Sequence, residues 1–313
     1  MLLALSMSAC DAPHDNPLDP QNGGALLGRL LTRRATGIAG ATVCAVPSGR
    51  SCATDSSGEF ELLGLPVGDV TVRFRADGYA PESAVITLAR ERIDTLTRYL
   101  NGLPAVTGCR ISSHVFGQSW PPEPLYFFRL SATATDMDGE TDVESVWAEI
   151  PVLDLTQRLA YDPESLSYAT TILLSSLPVP SPETLVGRPV TFYVEDREGA
   201  LGCGPECSVN RVIYDLPEPA FPAGGIDTVA SDTTFCWHRF DHGFAVSYRC
   251  EVVRIVGGGP GGVVFSDATP GSGDTSVAVN RSALPSGDCY WTVEAIDAFG
   301  NSSRSKEERF HVR

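Results

Sequence analysis

The chain has 313 residues, and its 23 Lys and Arg residues against 39 Asp and Glu residues give a formal net charge of −16. This charge argues against a nucleic-acid binder, which needs a cationic face to release counterions, so we expect no nucleic acid among the partners. A hydrophobic fraction of 42% is that of a folded chain, and the length suits two or three domains. No apolar run approaches the roughly 18 residues of a membrane-spanning helix.

The first segment of the chain, residues 1–9, is apolar and ends directly at Cys10. Residues 7–10, with the sequence MSAC, resemble the signal of bacterial lipoproteins, in which the cysteine is acylated and becomes the first mature residue. The resemblance implies that residues 1–10 are a lipoprotein signal that ends at the lipidation site Cys10. It also implies an extracytoplasmic protein of the cell envelope, at the outer membrane or surface, whose membrane partner is reached through the lipid anchor. The alternative is an ordinary start with a free or buried cysteine.

Residues 11–24, DAPHDNPLDPQNGG, show no apolar periodicity and contain three prolines. This composition is typical of a solvated linker. We therefore expect a flexible tether between the anchor and the first folded domain.

Eight of the nine cysteines remain when Cys10 is set aside, an even number that suits disulfides in an exported protein. Cys44 and Cys52 flank the turn-like segment 47–50, PSGR, and are placed to bridge a hairpin. The other six fall as three in each of two predicted domains, so either one bridge joins the domains or two thiols stay free. Spacing leaves their pairing open. These six are Cys109, Cys203, Cys207, Cys236, Cys250 and Cys289.

The rest of the chain consists of short alternating apolar runs separated by Gly, Pro, Asp and Ser clusters, without a sustained helical period. This pattern predicts an all-β protein built of β-sandwiches. Proline-containing joints near 100–105 and 215–224 divide it into three serial domains, at residues 25–100, 105–215 and 225–313.

In the first domain, four turn motifs follow one another in a fixed order. They are Ile38-x-Gly40-Ala41-x-Val43, Thr54-Asp55-x-x-Gly58-x-Phe60, Leu65-Pro66-x-Gly68 and Gly78-Tyr79. This order resembles the carboxypeptidase regulatory-like domain, which implies a small transthyretin-like sandwich of seven strands, grouped with carbohydrate-binding-like folds. In carboxypeptidases this domain is the non-catalytic partner, and the chain has no His-x-x-Glu motif. We expect Gly58 and Gly68 to supply the backbone freedom that the turns need.

The second domain pairs strands with acidic turns, at 125–139 and 190–199, and looks like bacterial immunoglobulin-like domains. In the third domain, alternating apolar residues around Trp237 and Trp291 resemble a fibronectin type III domain, whose inward residues fill the core. The resemblance predicts both tryptophans in the core. On the same register Cys250 and Cys289 point inward from neighbouring strands, and we expect them to pair.

Four carboxylates cluster in the segment TDMDGETD, residues 135–142. Hard oxygen ligands at alternate positions around a glycine are what calcium needs, but the twelve-residue calcium loop is not complete, because Trp147 stands at its last position. An acidic turn between strands is the favoured interpretation, and a calcium site is the alternative. The four candidates are Asp136, Asp138, Glu140 and Asp142.

Two tryptophans are candidates for ligand binding. Val146, Ala148 and Ile150 are expected to face inward, which turns Trp147 outward, and Trp120 lies in a predicted loop beside two prolines. Because aromatic rings stack on the apolar faces of sugars, Trp120 and Trp147 form a hypothetical glycan platform. The alternative is a packed domain interface.

No nucleophile, base and orienting group appear with the spacing of a catalytic triad, and neither the Cys203–Cys207 pair nor the His238–His242 pair has the spacing of a metal site. We therefore expect no enzyme, no catalytic residue and no cofactor. The sequence predicts a non-catalytic lipid-anchored envelope protein that presents β-sandwich modules for binding or as spacers, with a glycan or an envelope protein as partner. The alternative is a carbohydrate-binding accessory lipoprotein of a polysaccharide-uptake or degradation system. A hydrolase with an unrecognised site is the third hypothesis, because sandwich folds host many functions.

Overall fold

The computed structural model describes residues 23–90, 92–241 and 243–313, so Cys10, the expected signal and most of the expected tether lie outside the described residues. The described chain forms 23 β-strands, which confirms the prediction of an all-β fold with several sandwich sheets. Among these residues, no helix is long and apolar enough to cross a membrane. Short 3-10 helices lie at Glu140–Asp142, Pro151–Leu153, Leu174–Ser176, Pro182–Leu185 and Arg281–Ala283.

The chain divides into two compact units. The first contains the described residues up to 105 together with two later segments, 135–144 and 194–202. The second contains Val106–Ala134, Ser145–Tyr193 and Cys203–Arg313. The division into three serial domains with joints near 105 and 215–224 stays a prediction.

The first unit contains a sandwich of seven strands. They are β1 (Gly24–Thr32), β2 (Thr42–Val46), β3 (Ser51–Ala53), β4 (Glu59–Leu65), β5 (Gly68–Arg75), β6 (Glu82–Leu88) and β7 (Ile93–Leu100). One sheet has the order β4-β1-β7, with β1 antiparallel to β4 and parallel to β7. The other sheet is antiparallel, with the order β3-β2-β5-β6.

The core of this sandwich follows from strict alternation along its strands. Phe60 and Leu62 of β4 and Val72 and Phe74 of β5 are buried, while the residues between them face solvent. Burial of such apolar surface stabilises the fold by roughly 25 cal/mol per Å². At the turn before β4, Gly58 has φ +78°, and a Cβ there would lie 2.2 Å from the carbonyl oxygen of Leu30, so the position requires glycine.

The second unit contains most of the remaining strands. The first seven of them are β8 (Ala105–Phe116), β9 (Leu125–Thr135), β10 (Val143–Ile150), β11 (Leu155–Asp162), β12 (Ser167–Leu173), β13 (Val190–Asp196) and β14 (Leu201–Cys207). They lie in the sheet order β14-β13-β10-β11-β12-β9-β8. The alternation that the sequence predicts for β10 is confirmed, because Val146, Ala148 and Ile150 are buried and Trp147 is half-buried on the opposite face.

The same sheet continues into the C-terminal part of the chain, because β8 pairs in parallel with a strand from it. These strands are β15 (Pro219–Phe221), β16 (Thr228–Val229), β17 (Thr233–Trp237), β18 (Val246–Val256), β19 (Gly259–Asp267), β20 (Ser276–Val279), β21 (Gly287–Asp297), β22 (Ser302–Arg304) and β23 (Glu308–Val312). The sheet runs on from β8 through β22, β21 and β18 to β19, and a separate sheet has the order β15-β17-β20.

The core of this C-terminal part is aromatic. Trp237 and Trp291 are buried, as the sequence predicts, and the ring of Trp291 lies 5.0 Å from the ring of Phe235. Phe235 in turn contacts the ring of Phe310 at 5.3 Å. The indole nitrogen of Trp291 donates to the carbonyl oxygen of Pro222 at 2.8 Å, which satisfies its buried N–H.

Candidate functional site

Two loops of the first unit bring five carboxylates together. One carboxylate oxygen from each of Asp136, Asp138 and Asp142 lies within 4.8 Å of the others, and the same holds for Asp142, Asp196 and Glu198. The first three residues stand between β9 and β10, and the last two stand at the end of β13 and in the turn after it. Because Asp142 belongs to both groups, these five residues form one acidic cluster.

Two members of the acidic cluster are fixed by hydrogen bonds deep in the structure. Asp138 is 3% exposed and accepts the backbone N–H groups of Arg33 at 3.0 Å and of Gly102 at 2.6 Å. Asp196 is 1% exposed and accepts the side-chain Nδ2 of Asn101 at 2.6 Å and two backbone N–H groups of its own turn. Donors of this kind hold both carboxylates in one orientation.

The charges of the acidic cluster act on one another. Desolvation raises the pKa of Asp136 to about 6, and the neighbouring charges of Asp142, Asp138 and Asp196 raise it as well, against a lowering hydrogen bond from a backbone N–H. Positive charge comes from Arg33, whose Nε lies 3.9 Å from Glu198 Oε1. The negative charge of the five carboxylates thus exceeds the positive charge that this contact supplies.

Three oxygens at the acidic cluster are shielded from solvent and have no hydrogen-bond partner among the described residues. They are Oδ2 of Asp136, Oδ2 of Asp142 and the amide Oδ1 of Asn101. A buried acceptor without a donor is costly, at roughly 1–3 kcal/mol, and such groups are rare in folded proteins. The chemistry that this arrangement supports is the binding of a hard cation by oxygen ligands.

The structure brings together three of the four carboxylates that the sequence proposed for calcium. Glu140 is exposed and belongs to neither group of the acidic cluster, so its role as a ligand stays a prediction. Sequence analysis missed Asp196, Glu198 and Asn101. The turn that carries Asp196 and Glu198 was recognised as acidic, but its meeting with the 135–142 segment depends on the pairing of β10 with β13, which the sequence does not reveal.

A second candidate lies on the outward face of β10 and β13. The rings of Trp147 and Tyr193 are 5.6 Å apart and nearly parallel, at 14°. The carboxylate of Glu149 raises the pKa of Tyr193 and accepts a hydrogen bond from its hydroxyl, while Arg158 stands across the ladder from Trp147. We call Trp147, Glu149, Arg158 and Tyr193 the aromatic patch. It combines a stacked aromatic surface with one hydrogen-bond acceptor and one donor group.

Trp120 lies elsewhere, in the loop between β8 and β9. It is 85% exposed, and the loop is held at Ser119, whose N–H and Oγ both lie 2.8 Å from Glu307 Oε2. Among the described residues, no ring contact joins Trp120 to the aromatic patch. A role of Trp120 in ligand binding stays a prediction.

One disulfide is present among the described cysteines, between Cys109 of β8 and Cys207 of β14. The third cysteine of the predicted second domain, Cys203, is exposed and free. The expected bridge between Cys44 and Cys52 is wrong, because both are free. In the β2–β3 ladder Cys44 stands opposite Ser51 and Cys52 opposite Val43, so the two sulfur atoms lie on opposite faces of the hairpin.

The expected bridge between Cys250 and Cys289 is also wrong. Both side chains point inward as predicted and are fully buried. However, Cys250 stands opposite Val293 and Cys289 opposite Arg254, four residues away along the ladder, which is about 13 Å. Burial raises the pKa of Cys250 to about 12 and also raises that of Cys289, so both are inert thiols that fill the core. Cys236 is a free thiol too.

One histidine contacts two serine hydroxyls, as a catalytic base would. His114 Nε2 lies 2.9 Å from Ser112 Oγ, and its Nδ1 lies 2.7 Å from Ser302 Oγ. Both serines are buried, and the pKa of His114 is lowered to about 4 by desolvation and by the charge of Arg129. A general base works best with a pKa near the operating pH, so this arrangement is suited to a structural role.

The comparisons with known proteins identify one part of the chain. The family of carboxypeptidase regulatory-like domains matches residues 25–100, which confirms the resemblance of the first predicted domain. The match covers 76 of 313 residues, so it describes this domain and not the whole chain. No curated protein matches the chain.

Solved structures similar to the chain include fibronectin-type modules. The FN1–FN3 domains of chicken CNTN1 are 12% identical, with a TM-score of 0.33 over 93% of this chain and 99% of that one. The TIE protein of Bacillus anthracis is 10% identical, with a TM-score of 0.30 over 93% of this chain and 51% of that one. The fibronectin(III)-like modules of Clostridium thermocellum CbhA are 13% identical, with a TM-score of 0.29 over 67% and 93% of the two chains.

Proposed function

We propose that this protein is a lipid-anchored, non-catalytic component of the bacterial cell envelope that presents β-sandwich modules outside the cytosol. The observation that carries the proposal is the MSAC sequence at residues 7–10, which is followed by a proline-rich linker pattern and then by all-β modules. An acylated Cys10 supplies the anchor, since each buried CH₂ contributes about 0.8 kcal/mol to membrane binding.

Three features support this proposal. The Cys109–Cys207 disulfide suits an oxidising compartment outside the cytosol. The regulatory-like domain at 25–100 is of a kind that accompanies catalytic domains without supplying catalytic groups. The pKa of His114, about 4, is too low for general-base catalysis at neutral pH, and this agrees with a non-catalytic role.

The anchor is tested by expressing the full-length gene in a bacterium with the Cys10→Ser substitution and following an alkyne-labelled fatty acid. The native protein is expected to incorporate the label and to partition into the detergent phase of a Triton X-114 extraction, whereas Cys10→Ser loses both properties. Cys203→Ser is the matched control, since it removes an unpaired and exposed cysteine far from the MSAC sequence, and it should behave as the native protein. A Cys10→Ser protein that stays labelled and detergent-bound refutes the proposal.

The second candidate function, which the aromatic patch favours, is the binding of a glycan. Trp147 and Tyr193 offer apolar ring surface to a sugar, and Glu149 and Arg158 are placed to accept and donate hydrogen bonds to its hydroxyls. Such a site suits an accessory lipoprotein of a polysaccharide-uptake or degradation system.

Glycan binding is tested on an array of bacterial and plant polysaccharides with the native protein and with Trp147→Ala and Tyr193→Ala. Each variant is expected to lose about tenfold or more in affinity for any bound glycan, because one aromatic ring that stacks on the sugar is removed. Tyr161→Ala removes a comparable exposed ring outside the aromatic patch and should leave binding unchanged. Equal binding by all four proteins excludes the aromatic patch as the site.

A further inference from the structure

We propose that the free edge of β7, in the first unit, is the contact through which two copies of this protein form an antiparallel dimer. β7 (Ile93–Leu100) ends the sheet order β4-β1-β7, and among the described residues no strand pairs with its other edge. Such an edge presents unpaired backbone N–H and C=O groups, which are a template for another strand. The proposal does not depend on the lipid anchor or on glycan binding.

The first argument is the direction of the backbone groups of β7. The N–H of Ala25 donates to the carbonyl oxygen of Arg92 at 3.1 Å, and β1 and β7 are paired in parallel. Alternate residues of a strand direct their backbone groups to the same side, so the even-numbered residues of β7 face β1. The backbone groups of the odd-numbered residues, from Ile93 to Tyr99, therefore point to the free edge. A second strand can pair with them there.

The second argument is the charge on the inner face of β7. Leu100 belongs to the core of the sandwich and Leu96 packs against it, and Asp94 and Arg98 alternate in the same phase. Charges that point inward on an edge strand prevent pairing, because an incoming strand would bury them. Here the two charges have opposite signs and stand two residues to either side of Leu96. An antiparallel second copy centred on Leu96 therefore sets Asp94 of each chain opposite Arg98 of the other, so this edge rejects other strands and admits its own copy.

The contacts of these two side chains within one chain are incomplete. Asp94 Oδ1 lies 3.2 Å from Arg92 Nε, whereas its Oδ2 has no hydrogen-bond partner among the described residues. Arg98 Nε lies 3.9 Å from Glu82 Oε1, which is too far for a hydrogen bond, and it too has no such partner. The two side chains stay accessible, at 23% for Asp94 and 38% for Arg98. Each thus lacks a group that the other provides.

The third argument is that the neighbouring registers are unfavourable. A two-fold axis one residue before Leu96 sets Arg92 opposite Arg98, which is a like-charge pair. An axis one residue after it sets Asp94 opposite Leu100 and so buries a charge without a partner. The register centred on Leu96 is the one in which both charges are neutralised.

The same register also covers apolar surface on the outer face of β7. Ile93 is 62% exposed and Tyr99 is 44% exposed, and the axis at Leu96 sets them opposite each other in the two copies. Thr95 stands opposite Thr97 between them. Pairs of an aromatic with a β-branched residue, and pairs of threonines, stabilise antiparallel strands.

The test measures self-association of the full chain by sedimentation equilibrium at about 0.15 M salt, where charges more than about 8 Å apart are screened. The chain carries Cys10→Ser and Cys203→Ser, so that neither a lipid nor an exposed thiol joins two copies. Because one edge strand per copy forms a small interface, we expect a monomer–dimer equilibrium with a dissociation constant of about 10–100 μM.

Two charge reversals and their combination test the register. Arg98→Asp leaves two acidic residues at these positions and Asp94→Arg leaves two basic ones, so each variant alone should dimerise at least about tenfold more weakly. An equimolar mixture of the two should recover association as a heterodimer, and Asp94→Arg/Arg98→Asp should dimerise within about threefold of the starting chain. Arg73→Asp makes the same change of net charge at an exposed position on β5 and should leave the equilibrium unchanged.

Thr97→Pro tests the backbone contact without altering a charge. It removes an N–H group that points to the free edge and leaves the donors to β1 in place, so the variant should be folded by circular dichroism and monomeric. If a charge-reversal variant fails to fold, Thr97→Pro decides the proposal.

Three results would overturn the proposal. The first is the absence of concentration-dependent association of the starting chain up to about 300 μM. The second is a folded Thr97→Pro protein that associates as the starting chain does, which assigns the contact to another surface. The third is folded single reversals that do not recover association when they are mixed or combined.

Discussion

The ring of His114 is enclosed by aromatic neighbours and by hydroxyl groups. It stacks on Phe127 at 4.7 Å and meets Phe116 edge-on at 6.1 Å. Protonation would bury a charge in these surroundings near Arg129, which is why its pKa falls to about 4. The neutral ring is therefore part of the folded structure at neutral pH.

The stability of the second unit should fall in acid because of His114. Its pKa is about 4 in the folded state against 6.5 in the unfolded state, so the unfolded state binds the proton first as the pH falls. Between pH 7 and pH 4 this one group should remove about 3 kcal/mol of unfolding free energy. The measurement is urea unfolding followed by tryptophan fluorescence, since all four tryptophans lie in the second unit.

His114→Asn separates this contribution from those of other titrating groups. The variant should show a shallower decline between pH 7 and pH 4, by about the same 3 kcal/mol. Gln157→Asn, which alters a side chain that does not titrate, is the control and should keep the native pH dependence. Parallel pH profiles for the native protein and His114→Asn would contradict this account.

The cysteines show how strand register decides chemistry at the scale of single elements. Two predicted bridges fail because an offset of one residue turns a side chain to the other face of a hairpin, and an offset of four separates two side chains on the same face. The bridge that forms links β8 to β14, strands at opposite ends of a seven-strand order. It encloses a loop of 98 residues in sequence.

Removal of this bridge should destabilise the second unit strongly. On the chain-entropy model, a loop of this length corresponds to about 4–5 kcal/mol, because the unfolded chain regains the freedom that the bridge removes. The measurement is guanidinium unfolding of Cys109→Ser/Cys207→Ser, followed by tryptophan fluorescence. Cys203→Ser, on the same strand as Cys207 but unpaired, should differ from the native protein by less than about 0.5 kcal/mol. A loss below about 1 kcal/mol in the double variant would show that the bridge contributes little.

The glycine-rich segment 257–262 is a second case at this scale. Most of this segment belongs to a strand, because β19 begins at Gly259, which stands opposite Val256. Gly257 and Gly258 alone form the turn, both with positive φ, the backbone of a two-residue hairpin. A glycine-rich composition is typical of loops. Backbone hydrogen bonds between strands need no side chain, however, so β19 includes the remaining glycines of the segment.

At the scale of the whole molecule, the first unit is not contiguous in sequence. It contains the seven-strand sandwich and also residues 135–144 and 194–202. Asp138 from the first of these segments accepts the N–H groups of Arg33 and Gly102. The regulatory-like domain thus receives hydrogen-bond acceptors from later parts of the chain.

A fragment of residues 23–105 should therefore fold, because its apolar core is complete, but with lower stability than the same residues in the intact chain. The two hydrogen bonds that Arg33 and Gly102 donate to the carboxylate of Asp138 are lost, which together amount to about 3–6 kcal/mol. Hydrogen exchange of the buried amides in β4 and β5 measures the difference. Asp138→Ala in the intact chain serves as a comparison and should increase exchange to a similar extent. Equal protection in the fragment and in the intact chain would contradict this expectation.

The sequence predicted the fold better than it predicted the site. Period-two alternation correctly placed Val146, Ala148 and Ile150 in the core, because burial of alternate residues is a local property of a strand. The site depends on strands that are distant in sequence. Tyr193 was missed beside Trp147 for the same reason that Asp196 was missed beside Asp142, since no local pattern reveals that β13 lies next to β10.

The sequence by itself determined the all-β class, the regulatory-like domain at 25–100 and the inward or outward direction of most strand residues, because these follow from alternation and turn chemistry along short stretches. Only the tertiary structure decided which cysteines pair, which ring stacks on Trp147 and which carboxylates gather around Asp142. Each of these depends on strand order and register between distant segments, and those are set by the packing of the whole chain.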